Sequence, residues 1–324
     1  MGPIELSLNV TDTLPADVTA GESLTISAWL FVPDDLATLG ERPVTMTLLA
    51  GGSYDKRYHH AVIPGHLGYS AAEHLASLGN IVLLADHLGV GGSSRAPDQK
   101  KATPQICALA MHAAVTQFHK RLAVGDVSPT LPPMANVVKI GGGHSMGAMQ
   151  TVVQQAAHRT YDAIMFLGYT TQGVHFYHGT SRVRAGEYLP PKPWGDYGEN
   201  DREAQRYNFH WDDVPAEVVA FDDTLAVPTP LQIGLASIVV DVIKPDAAQI
   251  DVPVFFGNGE RDVSPDPQAE AAFFPKCTDF SMYLLPRSAH CQTFAGTRHM
   301  FWNRMHDWSR AILPGVCDRR YTSV

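Results

Sequence analysis

The sequence predicts an α/β fold in outline: a mostly parallel sheet with helices on both faces and one long interruption late in the alternation. Three observations predict it. Six short, nearly continuous apolar runs (VTMTLLAGG, NIVLLADH, NVVKIGGGH, DAIMFLGY, VPVFFGNGE and FSMYLLP) have the length of strands and lack the polar alternation of a sheet with one wet face. Helix-forming stretches lie between most of them, the order that places parallel strands side by side. The 324 residues, 45% of them apolar, also suffice for a sizeable buried core.

In chain order, IELSLNV and SLTISAWLFVP alternate and are joined by a polar turn, an antiparallel start to the sheet. The expected helices are then SAAEHLASLG, PQICALAMHAAVTQFHKRL, GAMQTVVQQAAHR, PDPQAEAAFF and a long QTFAGTRHMFWNRMHDWSRAIL at the end. One region breaks the pattern. From about residue 172 to 247 the chain carries PPKPWGDYGENDREAQRYNFHWDDVP, followed by TPLQIGLASIVVDVI, which reads as helical. An interruption of that length between strands is a lid or a disordered loop. Tyr188, Trp194, Tyr207, Phe209 and Trp211 need burial, which favours an ordered cap over 172–247 on a core of 1–171 and 248–324.

A formal charge of -9 without a long basic run argues against nucleic acid or an anionic membrane surface as partner. No apolar run reaches membrane-spanning length, and the start of the chain lacks a basic segment leading into an apolar one, so a soluble cytoplasmic protein is expected. Cys107, Cys277, Cys291 and Cys317 are scattered, as suits reduced thiols. Of fifteen histidines, His175 and His178 are three apart, but no H-E-x-x-H or H-x-x-E-H occurs, so no metal is expected. Oligomeric state, a homo-oligomer included, is left open.

The third run leads into Gly143-His144-Ser145-Met146-Gly147, a G-x-S-x-G pentapeptide between a strand and a helix-forming segment. A serine at the tip of a sharp strand-to-helix turn is strained, and residues two before and two after it come so close that a Cβ would clash. Gly143 and Gly147 meet that demand, whereas Gly141 and Gly142 are expected to be less demanded by the elbow and to let the strand end approach the neighbouring chain. A glycine-rich turn that merely opens a helix would look alike, so placement decides.

A serine hydroxyl needs a base to take its proton, and the base needs an anion to fix its tautomer. Both are expected further along the chain at strand ends, acid before histidine. VPVFFGNGERD ends on Asp262, with Glu260 a nearby competitor, and FSMYLLPRSAH ends on His290. Two backbone donors must meet the charge that forms on an attacked carbonyl. One is the amide of Met146; the other is assigned to Gly52, with Ser53 the near alternative, in the loop Ala50-Gly51-Gly52-Ser53-Tyr54-Asp55. Tyr54, Asp55, Lys56 and Arg57 either line a pocket or form a polar surface turn.

Over about residues 44–313 these motifs resemble the α/β-hydrolase superfamily. Asp86-His87-Leu88-Gly89-Val90-Gly91-Gly92-Ser93 is similar to the D-x-x-G-x-G-x-S segment that follows the fourth strand there and shapes a turn under the site. Where that family often has His-Gly after the third strand, this chain has Ala50-Gly51. The resemblance implies an eight-stranded sheet with an antiparallel second strand, a cap after strand six, and a cofactor-free hydrolase acting on an ester or other acyl bond of a small molecule. A serine at the elbow disfavours epoxide hydrolase and dehalogenase chemistry. The expectation is a serine esterase or lactonase for a medium-sized hydrophobic or aromatic substrate. A C–C hydrolase or lyase, a perhydrolase or haloperoxidase, and a ligand receptor share the framework.

Overall fold

In a computed structural model, residues 2–185, 195–198 and 200–316 are described. Tyr188, Trp194 and Cys317 lie outside them. Among the described residues the central sheet is formed by β1 (Ile4–Asn9), β2 (Thr25–Phe31), β3 (Val44–Leu49), β4 (Asn80–Ala85), β5 (Val138–His144), β6 (Ala163–Leu167), β11 (Val254–Gly259) and β12 (Phe280–Leu285). Their spatial order is β1-β2-β4-β3-β5-β6-β11-β12. β2 runs antiparallel to both its neighbours, and every other pairing is parallel.

The unbroken apolar runs have a simple cause. Successive side chains of a strand face opposite sides, and here both sides are covered. In β4, Ile81, Leu83 and Ala85 pack on the side of helices Pro104–Val124 and Met146–His158, while Val82 and Leu84 join the side of helices Ala71–Ser77 and Arg298–Ala311. β6 divides alike, Ile164 and Phe166 against Ala163, Met165 and Leu167. β12 departs from the expectation of a strand buried on both faces. It is the sheet edge and leaves Met282 and Leu284 exposed.

Two expected helices are shorter. The run after Thr229 is helical only over Leu231–Ala236. Ile238, Val239 and Val240 are β-branched, which lowers helix propensity, and Asp241 has φ 63°, so the chain turns away. The final long helix begins at Arg298, because Ala295 is extended and separates it from a 3-10 turn at Gln292–Phe294. PDPQAEAAFF forms a 3-10 helix, Pro267–Phe273, in which Glu270 turns inward to accept from the hydroxyls of Thr170, Thr171 and Ser264.

Between β6 and β11 the chain makes an excursion that includes the expected cap. It contains a hairpin of β7 (His175–His178) and β8 (Ser181–Arg184), a short pair of β9 (Tyr197–Gly198) and β10 (Thr229–Pro230), and helices Arg206–Phe209, Ala216–Asp223, Leu231–Ala236 and Lys244–Ala247. Phe209 is buried, and Tyr207 and Trp211 hold the Arg261 guanidinium at 3.6 and 4.7 Å from their ring centres. His175 and His178 stand at the two ends of β7, and His175 Nδ1 faces the Gly173 carbonyl. No helix among the described residues is long and apolar enough to cross a membrane, and no group of three or more His, Cys, Asp or Glu among them is placed to hold a metal ion.

Candidate active site

Ser145 links β5, in the middle of the sheet, to helix Met146–His158, with φ 55° and ψ -121°. A non-glycine residue in such a conformation costs about 1–3 kcal/mol and persists only where its surroundings enforce it. Here the Ser145 amide donates to the Leu167 carbonyl on β6 at 2.8 Å, and its own carbonyl accepts from the amides of Ala148 and Met149 at 2.9 and 3.1 Å. A Cβ on Gly143 would fall 2.2 Å from the Gly147 carbonyl carbon, and one on Gly147 would fall 2.5 Å from the Leu49 carbonyl oxygen. Both glycines are therefore required. Gly141 and Gly142 admit the neighbouring chain: a Cβ on Gly141 would meet the Tyr161 ring, just before β6, at 2.2 Å, and one on Gly142 would meet Met165 Cβ at 3.0 Å.

The three side chains expected to converge do so. Ser145 Oγ lies 3.0 Å from His290 Nε2, and His290 Nδ1 lies 2.7 Å from Asp262 Oδ1. A carboxylate accepts, so Nδ1 carries the imidazole proton and Nε2 is free to receive one. Asp262 is held from several directions. Its Oδ2 accepts from the Gly259 amide at 2.8 Å and from Gln292 Nε2 at 2.6 Å, and its Oδ1 also accepts from the Val263 amide at 2.8 Å. Glu260, the competing acid, is exposed and accepts from the Arg287 amide, away from His290.

Of the two candidate donors after β3, the Ser53 amide is taken, donating to Thr229 Oγ1 at 2.6 Å. The Gly52 amide has no acceptor among the described residues, and Gly52 stands against Met146, whose sulfur is 3.9 Å from an ideal Cβ. The Met146 amide opens its helix and so lacks an intrahelical partner by position. Tyr54, Asp55 and Lys56 do not form a free surface turn: all three are buried. Asp55 caps the 3-10 turn Lys56–His59. Asp86 accepts from the Lys56 amide, from Lys56 Nζ at 2.6 Å and from the Gly92 amide, which fixes the glycine-rich turn after β4.

The excursion supplies contacts that carried no motif. From β8, Arg182 donates to the backbone carbonyls of Asp262, Ser264 and Pro265. The carbonyls of Asn208 and Phe209 accept from the amides of His290 and Cys291, each at 2.9 Å. Ser53 receives the Asn200 amide on its hydroxyl, and the Val227 amide and Arg202 Nη2 on its carbonyl. Behind them Asp222 Oδ2, fully buried, accepts from Tyr54 Oη, Arg202 Nη1 and His210 Nε2 at 3.0, 2.9 and 3.0 Å. Burial, with Asp222 next, raises the Tyr54 phenol well above its usual range, and burial raises the Cys291 thiol likewise. Both stay neutral. The Phe176 and Phe209 rings stand 6.2 and 5.7 Å from the His290 ring and give the site an apolar wall.

No protein-family model and no curated protein matches the chain. Solved structures do. A putative aryl esterase from Burkholderia cenocepacia superposes with a TM-score of 0.60 at 13% identity, covering 96% of this chain and 99% of that one. A thermophilic esterase from Thermogutta terrifontis gives 0.58 at 13%, over 95% and 98%. A bromoperoxidase from Bacillus anthracis gives 0.57 at 11%, again over 95% and 98%. At such identities the likeness is one of backbone, spanning nearly the whole of each chain: this protein has the α/β-hydrolase fold.

Proposed function

We propose that the protein is a serine hydrolase that cleaves a carboxylic ester or lactone through an acyl-enzyme. The observation that carries this reading is the unbroken relay from Ser145 Oγ through both nitrogens of His290 to Asp262, at 3.0 and 2.7 Å. Ser145 Oγ attacks the carbonyl carbon as its proton passes to His290 Nε2, and Asp262 stabilises the imidazolium through Nδ1. The oxyanion is met by the amides of Gly52 and Met146. Collapse of the tetrahedral intermediate expels the alkoxide, which takes the proton from His290. Water, deprotonated by the same nitrogen, then attacks the acyl carbon and releases the acid.

Phe176 and Phe209 beside His290 favour a medium-sized hydrophobic or aromatic substrate. The aryl-esterase and esterase descriptions of two structural neighbours support the ester reading, and the bromoperoxidase description makes peroxide-dependent turnover in acetate the control to run beside it. Residues 172–247 are read as the cap over this site, and the protein as cytoplasmic and cofactor-free.

With p-nitrophenyl esters of graded acyl length, Ser145→Ala is expected to lower turnover by about a thousandfold or more, the loss that follows removal of a nucleophile of this kind. An alanine variant that hydrolyses at the wild-type rate ends the proposal.

A further inference from the structure

Between nucleophile and base lies a histidine that the cycle above does not use. His144, the last residue of β5, is buried, and its Nε2 is 2.8 Å from the backbone carbonyl oxygen of His290. A carbonyl only accepts, so Nε2 carries the proton and Nδ1 presents a bare lone pair. Nδ1 is buried and has no partner among the described residues. Burial, and after it the neighbouring His290, hold the His144 imidazole well below its usual range, so the ring stays neutral.

The ring is closely fitted. Tyr58 stacks on it with centroids 4.6 Å apart and planes 17° from parallel, and the His290 ring lies 4.5 Å away. A Cβ on Gly168 would come 2.7 Å from His144 Cδ2, and one on Gly51 would come 2.9 Å from Nδ1. An aliphatic side chain would occupy such a slot without stranding a buried nitrogen, which is costly. What imidazole adds there is a donor aimed at the backbone of the base. The same peptide is restrained at its other end, since the His290 amide donates to the Asn208 carbonyl at 2.9 Å.

We propose that His144 is a positioning residue: its Nε2–H anchors the main chain of His290 to the strand that carries Ser145, and so keeps His290 Nε2 in reach of the serine hydroxyl. This rests on the hydrolase reading above. Adjacency in the chain gives the bond its use, because the residue bonded to the base is covalently next to the nucleophile, and any shift of one is transmitted to the other.

The test uses the full chain and a p-nitrophenyl ester. His144→Phe keeps a flat ring between Tyr58 and His290 and removes the donor; His144→Gln returns an N–H close to the place of Nε2. His144→Phe is expected to lower kcat by about tenfold to a hundredfold with KM changed less than about threefold, as small misplacements of a catalytic group do. His144→Gln should recover most of the loss. A phenylalanine variant within about twofold of the wild-type kcat overturns the proposal, and so does a glutamine variant as impaired as it while melting at the wild-type temperature. If neither variant folds, the imidazole 15N shifts of the wild-type protein decide: a neutral ring protonated on Nε2 supports the anchor, and protonation on Nδ1 overturns it. A wild-type chain without esterase activity refutes the hydrolase reading instead, which separates the two failures.

Discussion

The sheet and the excursion between β6 and β11 act on the site in different ways. The sheet is apolar on both faces, each face packing against its own layer of helices. The excursion reaches the site through polar groups: Arg182 on the carbonyls around Asp262, the backbone of Asn208 and Phe209 on His290 and Cys291, and Thr229, Asn200, Val227 and Arg202 on Ser53. The sheet therefore decides where the strand ends lie. The excursion decides how the loops on those ends are oriented. A segment bonded to all three loops is poorly suited to move as a unit without disturbing them.

The largest expected effect comes from cutting the excursion's own anchor. Asp222 has no exposed surface and gathers Tyr54, Arg202 and His210 on one oxygen. Asp222→Ala leaves the Arg202 charge buried without its carboxylate, and breaking a buried ion pair in this way costs about 3–5 kcal/mol. Urea titration should register that loss. Limited proteolysis should find new cuts between residues 172 and 247 while the sheet stays protected. An unchanged unfolding midpoint with an unchanged digest would show that the two regions are not divided along this line.

The difference also explains what the sequence discloses. Strands alternating with helices and the glycines around Ser145 are local patterns, and each follows from a periodicity or a steric demand that a short window contains; the order serine, acid, histidine follows from the resemblance to the fold. Asp262 and His290 could be named because strand ends in a parallel sheet share one edge. The ties of the excursion have no such signature. Ser53 with Thr229 and Tyr54 with Asp222 are 176 and 168 residues apart, and nothing in the spacing of a polar stretch tells which carbonyl an arginine such as Arg182 will reach. The motif does not show which ring makes Gly141 necessary, since Tyr161 arrives from outside it. TPLQIGLASIVVDVI is helical over fewer residues than its sequence suggests, because β-branched residues and a left-handed Asp241 cut it short.

On the sheet side two of the polar ties run through buried neutral histidines, which makes those ties sensitive to acid. His59 Nε2 donates to the Leu49 carbonyl, and His119 bridges helix Pro104–Val124 to Thr45 on β3; burial lowers each to about 4 from a usual 6.5. Between those values the unfolded chain binds the proton and the folded chain does not. The stability they contribute is complete above about pH 6.5 and is lost as the pH falls towards about 4, at a limit of about 1.4 kcal/mol per pH unit for each histidine. Urea midpoints measured from neutral to mildly acid pH should fall with that slope, and His119→Gln should flatten it. A midpoint independent of pH over this range would mean that these rings are not buried neutral.

The smallest effect separates geometry from stability most cleanly. Arg182 is half-buried, and among the described residues its guanidinium donates only to backbone carbonyls, those of Asp262, Ser264 and Pro265, beside the Tyr177 ring at 5.4 Å. Such bonds from a partly wet side chain add little to folding. They do set the path of the chain that presents the Asp262 carboxylate to His290 Nδ1. Arg182→Met keeps the aliphatic stem and the packing on Tyr177 while removing every donor. The melting temperature is expected to stay within about two degrees, because a change well under 1 kcal/mol shifts a chain of this size by no more than that. The rate should not be spared: kcat is expected to fall about tenfold with KM nearly constant, as when an orienting partner of a catalytic group is lost. Arg182→Lys returns one donor of the fork and should return only part of the rate. If the methionine variant turns over ester as fast as the wild type, the acid's loop holds its own shape, and the excursion orients two of the three site loops rather than all of them.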